Sequence, residues 1–250
     1  MTGANSERSD RADRMLVVLG HFESRAAARA AIEAGRVRVE GEIVRKPSQT
    51  ISAGALIDAE PAHPYVSRGA LKLAHALDVF GVDPQGLVCL DIGASTGGFT
   101  DVLLRRGAAH VTAVDVGRDQ LRDAIALDAR VRSLEALDAR LLTSDHLTNG
   151  HPQLIVCDAS FIGLEKVLGP PLSLAAPDAV LVALFKPQFQ VGREHVGKGG
   201  LVTDAGAVDA AATALTEWLG SQRWQIGAWT DSPIKGGDGN AERLFVARRR

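Results

Sequence analysis

Hydrophobic and polar positions follow two different rhythms along the chain. Up to about residue 60 the elements are short. Residues 11–20 and 24–34 have helical spacing, with Ser24 placed to cap the second helix and Gly35 to stop it. Arg36-Val37-Arg38-Val39 alternates charged and apolar positions, turns at Glu40-Gly41 and returns through Glu42-Ile43-Val44, the pattern of a hairpin with one buried face. One further strand is expected within 49–59, and Pro61 and Pro64 mark a linker. Beyond Tyr65 the runs lengthen and alternate. Helices are predicted at 69–80, 98–106, 120–127, 163–174 and 204–221, and strands at 86–91, 111–115, 131–134, 153–158, 179–185, 225–230 and 243–248.

Strands alternating with helices predict a doubly wound, mainly parallel α/β sheet of seven strands, covered on both faces. The last two strands are joined by a glycine-rich loop too short for a helical crossover, so they should be antiparallel neighbours. The expected organisation is a loose tail at 1–9, a small α+β domain at 10–60, a linker at 61–66 and the sheet domain at 67–250.

Composition narrows the picture only a little. Of 250 residues 46% are hydrophobic, enough for a real core, and the net charge of −2 gives no global attraction to nucleic acid. Any such partner would have to be met by a local basic patch. Cys89 and Cys157 sit in apolar runs without metal-ligand spacing, which fits small core residues in a reducing cytoplasm. Residues 1–10 carry no apolar signal segment, and the longest apolar run, 175–185, is interrupted by Pro177 and Asp178. No membrane association and no metal are expected.

The strongest chemical signal follows the first long strand. Asp91-Ile92-Gly93-Ala94-Ser95-Thr96-Gly97-Gly98-Phe99-Thr100 has the glycines of a tight turn that opens a helix and lets a ligand approach the backbone. Asp115, with Val116 beside it, ends the next strand about 20 residues after Gly93, where an acid suits a ribose diol. Such a turn alone would serve NAD equally. The spacing Gly-x-x-x-Gly-Gly differs from the dinucleotide pattern, and Asp91 would repel a pyrophosphate but welcome a cationic amino-acid tail, so S-adenosylmethionine is the expected cofactor. Asp138, after the third strand, suits the exocyclic amine of adenine, or equally a helix cap.

Four ionisable residues lie in separate but suggestive contexts: Lys72 on the helix before the first long strand, Asp158 and Lys186 at the carboxyl ends of two parallel strands, and Glu242 at the start of the last. Ligands of open α/β sheets bind outside those strand ends, and Pro187 holds Lys186 in an extended backbone. Each residue taken singly could be an ordinary salt-bridge partner.

Basic residues cluster in the small domain as Arg25, Arg29, Arg36, Arg38, Arg45 and Lys46, outnumbering Glu33, Glu40 and Glu42. Arg25 and Arg29 share a helix face, a disposition suited to phosphate contacts. Arg11-Ala12-Asp13, Ser24-Arg25, Gly35-Arg36-Val37-Arg38-Val39-Glu40-Gly41 and Lys46-Pro47-Ser48 together resemble the RNA-binding domain named after ribosomal protein S-four, with Glu40 where that family usually has Asn. The resemblance implies recognition of structured RNA by shape and phosphate.

The second domain resembles the FtsJ-like ribose methyltransferases, whose reaction centre is a Lys-Asp-Lys-Glu tetrad. Val66-Ser67-Arg68-Gly69, Phe185-Lys186-Pro187-Gln188-Phe189, Val191-Gly192-Arg193-Glu194, Val196-Gly197-Lys198-Gly199-Gly200 and Ser232-Pro233-Ile234-Lys235-Gly236 are similar to the TlyA family, which joins both domains. That resemblance implies 2′-O-methylation of cytidines in 16S or 23S ribosomal RNA, in ribosomal subunits or as free RNA, by a monomer or weak oligomer. It implies a tetrad of Lys72, Asp158, Lys186 and Glu242, with neutral Lys186 as general base. An unperturbed lysine titrates near about 10.4, so burial and a neighbouring positive charge must favour the neutral form. Asp91, Gly93, Ala94, Ser95, Gly97, Gly98, Phe99, Asp115, Val116, Asp138 and Asp158 are expected at the cofactor. Arg11, Arg25, Arg29, Arg36, Arg38, Lys46, Arg68, Arg193 and Lys198 are expected at RNA, the last two from a glycine-rich loop at 188–202. The rival readings are a non-catalytic RNA-binding factor, a membrane-active haemolysin, a name some family members carry, and a transferase acting on DNA or a small molecule.

Overall fold

The computed structural model describes residues 8–250. Residues 1–7, most of the tail expected at 1–9, lie outside the described residues. The chain divides after Pro64 into two compact units.

In the N-terminal unit, strand β1 (Ser9–Arg11) leads into helices α1 (Ala12–Val18) and α2 (Arg25–Glu33). Ser24 caps α2 through its side chain, which accepts from Ala27 N. Strands β2 (Val37–Val39) and β3 (Glu42–Ile43) form the expected hairpin, with Glu40 and Gly41 both at positive φ (51° and 83°). The single strand anticipated at 49–59 is instead two, β4 (Thr50–Ser52) and β5 (Ile57–Ala59), broken by a turn at Gly54. Strand β4 pairs antiparallel with β1, a partner missed because three residues are too few to show a period; β5 joins the hairpin. Met15, Leu16, Ala28, Ile32, Val37 and Ile51 close a small apolar core.

The larger unit opens with helix α3 (Ala70–Phe80), then strand β6 (Val88–Ile92), helix α4 (Gly98–Arg105) and strand β7 (His110–Val114). A single helical turn, α5 (Asp123–Ala126), precedes strand β8 (Val131–Leu134) and then β9 (Leu154–Cys157). The helix expected from residue 120 starts late because the Glu135 carboxylate accepts from the backbone N–H groups of Asp119, Gln120 and Leu121. The helix expected at 163–174 is two short ones, α6 (Leu164–Val167) and α7 (Gly169–Ser173), divided where Pro170 and Pro171 remove backbone donors. Strand β10 (Val180–Phe185), one turn of helix α8 (Pro187–Gln190), helix α9 (Ala205–Ser221) and strands β11 (Trp224–Asp231) and β12 (Arg243–Arg249) complete it.

The seven strands stand in the order β11-β12-β10-β9-β6-β7-β8, and only β12 runs antiparallel to its neighbours. Period two divides the side chains between two cores. Cys89, Val156, Val182 and Leu244 point to the face covered by α3 and α4; Leu90, Ile155, Leu181 and Phe245 point to the face covered by α6, α7 and α9. Continuously buried strands such as Val-Leu-Val-Ala-Leu-Phe of β10 are what a sheet covered on both sides requires. Strands β6, β9 and β10 all end at one edge, and β12 begins there.

Candidate active site

The turn after β6 is built for close approach. Gly93 has φ 78°, and a Cβ there would come within 3.0 Å of the Ala159 backbone, so glycine lets the loops after β6 and β9 touch. The next strand end is tied in by Asp115, which accepts from Ser95 N at 2.8 Å and from Gly117 N at 2.7 Å. Between these loops lies a cavity of about 580 Å³. Gly93, Ser95, Asp115, Val116, Asp138 and Asp158 line it, whereas Ala94, Gly97, Gly98 and Phe99 are not among its lining residues. The Phe99 ring belongs to the apolar core, and a Cβ on Gly98 would collide with Ser67 Oγ. Those positions seat helix α4 rather than face the cavity with side chains. Sequence reasoning missed Gly117, Gln120, Arg140 and Ser160 in the lining; nothing in their spacing marks them.

Asp91 is fully buried. Its Oδ2 accepts from Thr100 Oγ1 at 2.7 Å, while Oδ1 has no partner among the described residues. Burial, partly offset by the Thr100 hydrogen bond, pushes its carboxyl up to about 7. Asp91 does not itself line the cavity; its orphaned carboxylate oxygen lies one residue before the lining residues Ile92 and Gly93, and Asp115 lines the cavity directly, a pair of acids suited to a cationic amino-acid tail and a ribose diol. The pair fits S-adenosylmethionine. Asp138 lines the cavity and caps the short helix Ala139–Leu141 by accepting from Arg140 N. The Arg140 guanidinium grips the same carboxylate and holds it below the usual carboxylate range.

At the carboxyl edge of the sheet the four ionisable residues form two pairs. Lys72 Nζ lies 2.5 Å from Glu242 Oε2, with both side chains nearly excluded from solvent. Lys186 Nζ lies 2.7 Å from Asp158 Oδ1 and also donates to Asp158 O at 3.0 Å and to Ser160 Oγ at 2.6 Å. The backbone makes the pairs neighbours. Phe185 stands opposite Arg243, so Lys186 and Glu242 leave adjacent strands together. Asp158 N donates to Ile92 O, holding it beside the glycine turn. A Cβ on Gly69, one helical turn before Lys72, would lie 3.7 Å from Asp158 Oδ2. A Cβ on Gly236 would come within 2.6 Å of Glu242 Oε1, so a side chain there would push on the buried acid.

Phe161, which follows this group, is 91% exposed with φ 66°, its ring centroid 5.2 Å from that of Phe189. A phenylalanine in the left-handed region is strained. The loop after Lys186 carries exposed Arg193 and Lys198 but is more ordered in form than a bare glycine-rich segment. It holds α8 and two short 3-10 turns, and buried Asn240 pins it by donating to Gly200 O and accepting from Val202 N.

The basic residues of the N-terminal unit divide by partner. Arg11 and Arg25 both donate to the buried Asp13 carboxylate, which they hold well below the usual carboxylate range. Arg36 pairs with Glu60, and Arg38 donates to Gly41 O. Arg29 and Lys46 are exposed without a side-chain partner among the described residues. Exposed Arg68 lies in the larger unit, just before α3.

Residues 65–250 match the family model described as FtsJ-like methyltransferase, and residues 10–57 match that of the S4 domain. A Mycobacterium tuberculosis protein named 16S/23S rRNA (cytidine-2′-O)-methyltransferase TlyA is 43% identical over 245 residues, covering 96% of this chain and 90% of the relative. The chain is an FtsJ-like methyltransferase of the TlyA family. A further TlyA relative, from Campylobacter jejuni and named 23S rRNA (cytidine-2′-O)-methyltransferase, is 37% identical over 182 residues, covering 72% of this chain and 70% of its own. A solved Streptococcus thermophilus protein that carries a hemolysin name superposes with TM-score 0.75 at 37% identity, over 96% of this chain and 88% of that one. Among the described residues no helix is long and apolar enough to cross a membrane, and no cluster of His, Cys, Asp or Glu could hold a metal ion.

Proposed function

We propose that this TlyA-family chain transfers a methyl group from S-adenosylmethionine to the ribose 2′-hydroxyl of a cytidine in 16S or 23S ribosomal RNA. The observation that carries the reading is the pairing of Lys186 with Asp158, which lines the cavity below the glycine turn, and of Lys72 with Glu242 at the same edge of the sheet. The names of the TlyA relatives support the acceptor, and the S4 domain supports an RNA substrate.

Asp115 would hold the ribose of the cofactor, with Gly93, Ser95, Val116 and Asp138 around it, and the unpartnered oxygen of Asp91 beneath the turn would draw its cationic tail. Bound there, S-adenosylmethionine supplies an electrophilic methyl group on a sulfonium. A ribose hydroxyl is a poor nucleophile, so the protein must position it and take its proton. Lys186, acting in its neutral form, takes that proton. Asp158 aims Lys186 by accepting an N–H bond on its backbone carbonyl and pairing with the charge through Oδ1. The Lys72–Glu242 pair sets the field around them and holds the ribose. Arg29, Lys46, Arg68, Arg193 and Lys198 meet phosphate, as do Arg11, Arg25, Arg36 and Arg38 with the share of their charge that their partners leave.

Ribosomal subunits and protein-free ribosomal RNA, each incubated with the chain and labelled methyl donor, provide the test. Label should enter RNA of the natural sugar and fail to enter the same target made 2′-deoxy at the modified nucleotide. Transfer to the 2′-deoxy target would overturn the assigned acceptor.

A further inference from the structure

An amine serves as a base only if one direction around its nitrogen is free for the incoming proton. Around Lys186 three oxygens stand close. Nζ donates to Asp158 O at 3.0 Å and to Ser160 Oγ at 2.6 Å, and Asp158 Oδ1 lies 2.7 Å away as an ion-pair contact outside hydrogen-bond geometry. With its side chain only 9% exposed, little room remains for a fourth group. For the acceptor hydroxyl to reach Nζ, one of the three must yield.

They are not equivalent. Both Asp158 oxygens belong to one residue at the end of β9, whose backbone is locked to β6 by the bond from its N–H to Ile92 O. The carbonyl cannot turn away without undoing that strand end, and the carboxylate would leave a buried cation unpaired. Ser160 is two residues further on, exposed, outside any helix or strand and in the cavity wall. Its Oγ needs only a rotamer change to leave. Chemistry selects it too. A hydroxyl accepts from an ammonium and donates to a neutral amine, so it can satisfy Lys186 in both protonation states, as the acceptor hydroxyl must during the reaction.

Resting on the base assignment made above, we infer that Ser160 Oγ occupies the position on Lys186 that the 2′-hydroxyl takes in the reacting complex. The serine is a positioning residue: it caps the lysine between turnovers and is displaced when RNA binds. In the reacting complex neutral Nζ keeps its N–H bond to Asp158 O and its contact with Asp158 Oδ1, and its lone pair points where Ser160 stood. The acceptor O–H proton passes to Nζ as its oxygen gains the methyl group, whose bond to the donor sulfur breaks. After the methylated RNA leaves, Nζ releases that proton to solvent past the exposed Ser160, which then donates its O–H to the neutral amine until RNA returns. The other charged groups nearby, Asp91 one strand away and the Lys72–Glu242 pair, keep their partners throughout.

Two measurements test this. In a complex of the full chain with target RNA and S-adenosylhomocysteine, O2′ should lie within hydrogen-bond distance of Nζ, both Asp158 contacts should persist and the Ser160 contact should be broken. An intact Ser160–Lys186 bond beside bound O2′, or a broken Asp158 bond in its place, overturns the inference. In kinetics, Ser160→Ala removes the competitor, so KM for RNA should fall about two- to tenfold, the worth of one hydrogen bond, with kcat retained. Ser160→Thr keeps a hydroxyl and should restore the parent KM. An unchanged KM, or a kcat that falls tenfold or more, would make the serine a support for the lysine and not a stand-in for substrate. Lys186→Ala in the same assay separates the two levels: turnover by that variant sinks the base assignment whatever Ser160 does.

Discussion

Buried charge is arranged in opposite ways in the two units. In the N-terminal unit the acid is inside and the cations are outside: the Asp13 side chain is fully buried, while Arg11 and Arg25 keep 44% and 56% of their side-chain surface exposed. At the sheet edge of the larger unit both signs are inside: Lys72 and Lys186 keep 9%, Glu242 keeps 2% and Asp158 keeps 22%. The first arrangement is a structural anchor, in which one acid holds two guanidinium groups whose outer donors stay available to water or phosphate. The second is costly, because desolvating a lysine and an acid together takes back much of their attraction. Charge kept at that cost beside a cavity is where chemistry is expected. The difference teaches that exposure of the cation, more than the presence of a pair, separates an anchor from a reaction centre.

The largest effect expected from that contrast is on rate. Lys186→Ala should lower methyl transfer by about 10²–10⁴-fold, the usual worth of a positioned base, while calorimetry shows S-adenosylmethionine binding preserved. Arg25→Ala, which breaks a pair of the other kind, should leave kcat within about twofold of the parent. Equal losses in the two variants would erase the distinction.

Next comes the lone acid. Asp91 has its carboxyl raised to about 7, and a cation bound beside it favours the ionised form. Affinity for S-adenosylmethionine should therefore rise with pH and level off above about 8, with roughly a tenfold gain between pH 6 and 8. Asp91→Asn should flatten that profile. The same raised value means that, without cofactor, Asp91 gives up stability as pH climbs from the ordinary carboxylate range to about 7, so Asp91→Asn should melt higher than the parent at pH 8. A pH-independent affinity in the parent would remove Asp91 from the cofactor site.

Smaller effects are expected in the N-terminal unit. Arg29→Ala and Lys46→Ala should each weaken RNA binding severalfold and lower the salt slope by about one, because these cations have no side-chain partner among the described residues. Arg36→Ala, whose guanidinium already pairs with Glu60, should change less. Smallest is the anchor itself. The Asp13 carboxyl is depressed, so its stabilisation is present above the ordinary carboxylate range and is lost as pH falls through the depressed value. Asp13→Asn should lower the melting temperature at pH 7 by a few degrees, about 2–4 °C per kcal/mol lost, and the gap should close in acid.

Much of this was legible from periodicity. Seven strands, their mainly parallel order and the antiparallel last pair follow from run lengths and loop lengths, and a strand end is a place that sequence can name. That is why Asp158, Lys186 and Glu242 could be brought to one edge before any coordinates. Contacts made by turns were not legible. Phe161 adopts φ 66° without a glycine to announce it, so the return of Ser160 toward Lys186 left no trace in the pattern. Glu135 shortens α5 from 14 to 16 residues away by collecting three backbone N–H groups, and no local propensity reports that. Asp13 lies 12 residues before Arg25, too far for a local charge count to join them. Helical spacing over 163–174 outweighed two prolines that the folded chain obeys.

Everything proposed for the edge of the sheet requires that a ribose hydroxyl meet a methyl donor there. Mass spectrometry of nucleosides from ribosomal RNA, isolated from cells with and without this chain, tests it most directly. One or more cytidines should carry the extra methyl on the ribose, resist alkaline cleavage at that linkage, and lose the mark in cells expressing only Lys186→Ala. A methyl group found on the base, or a ribose mark that survives the lysine substitution, would contradict it.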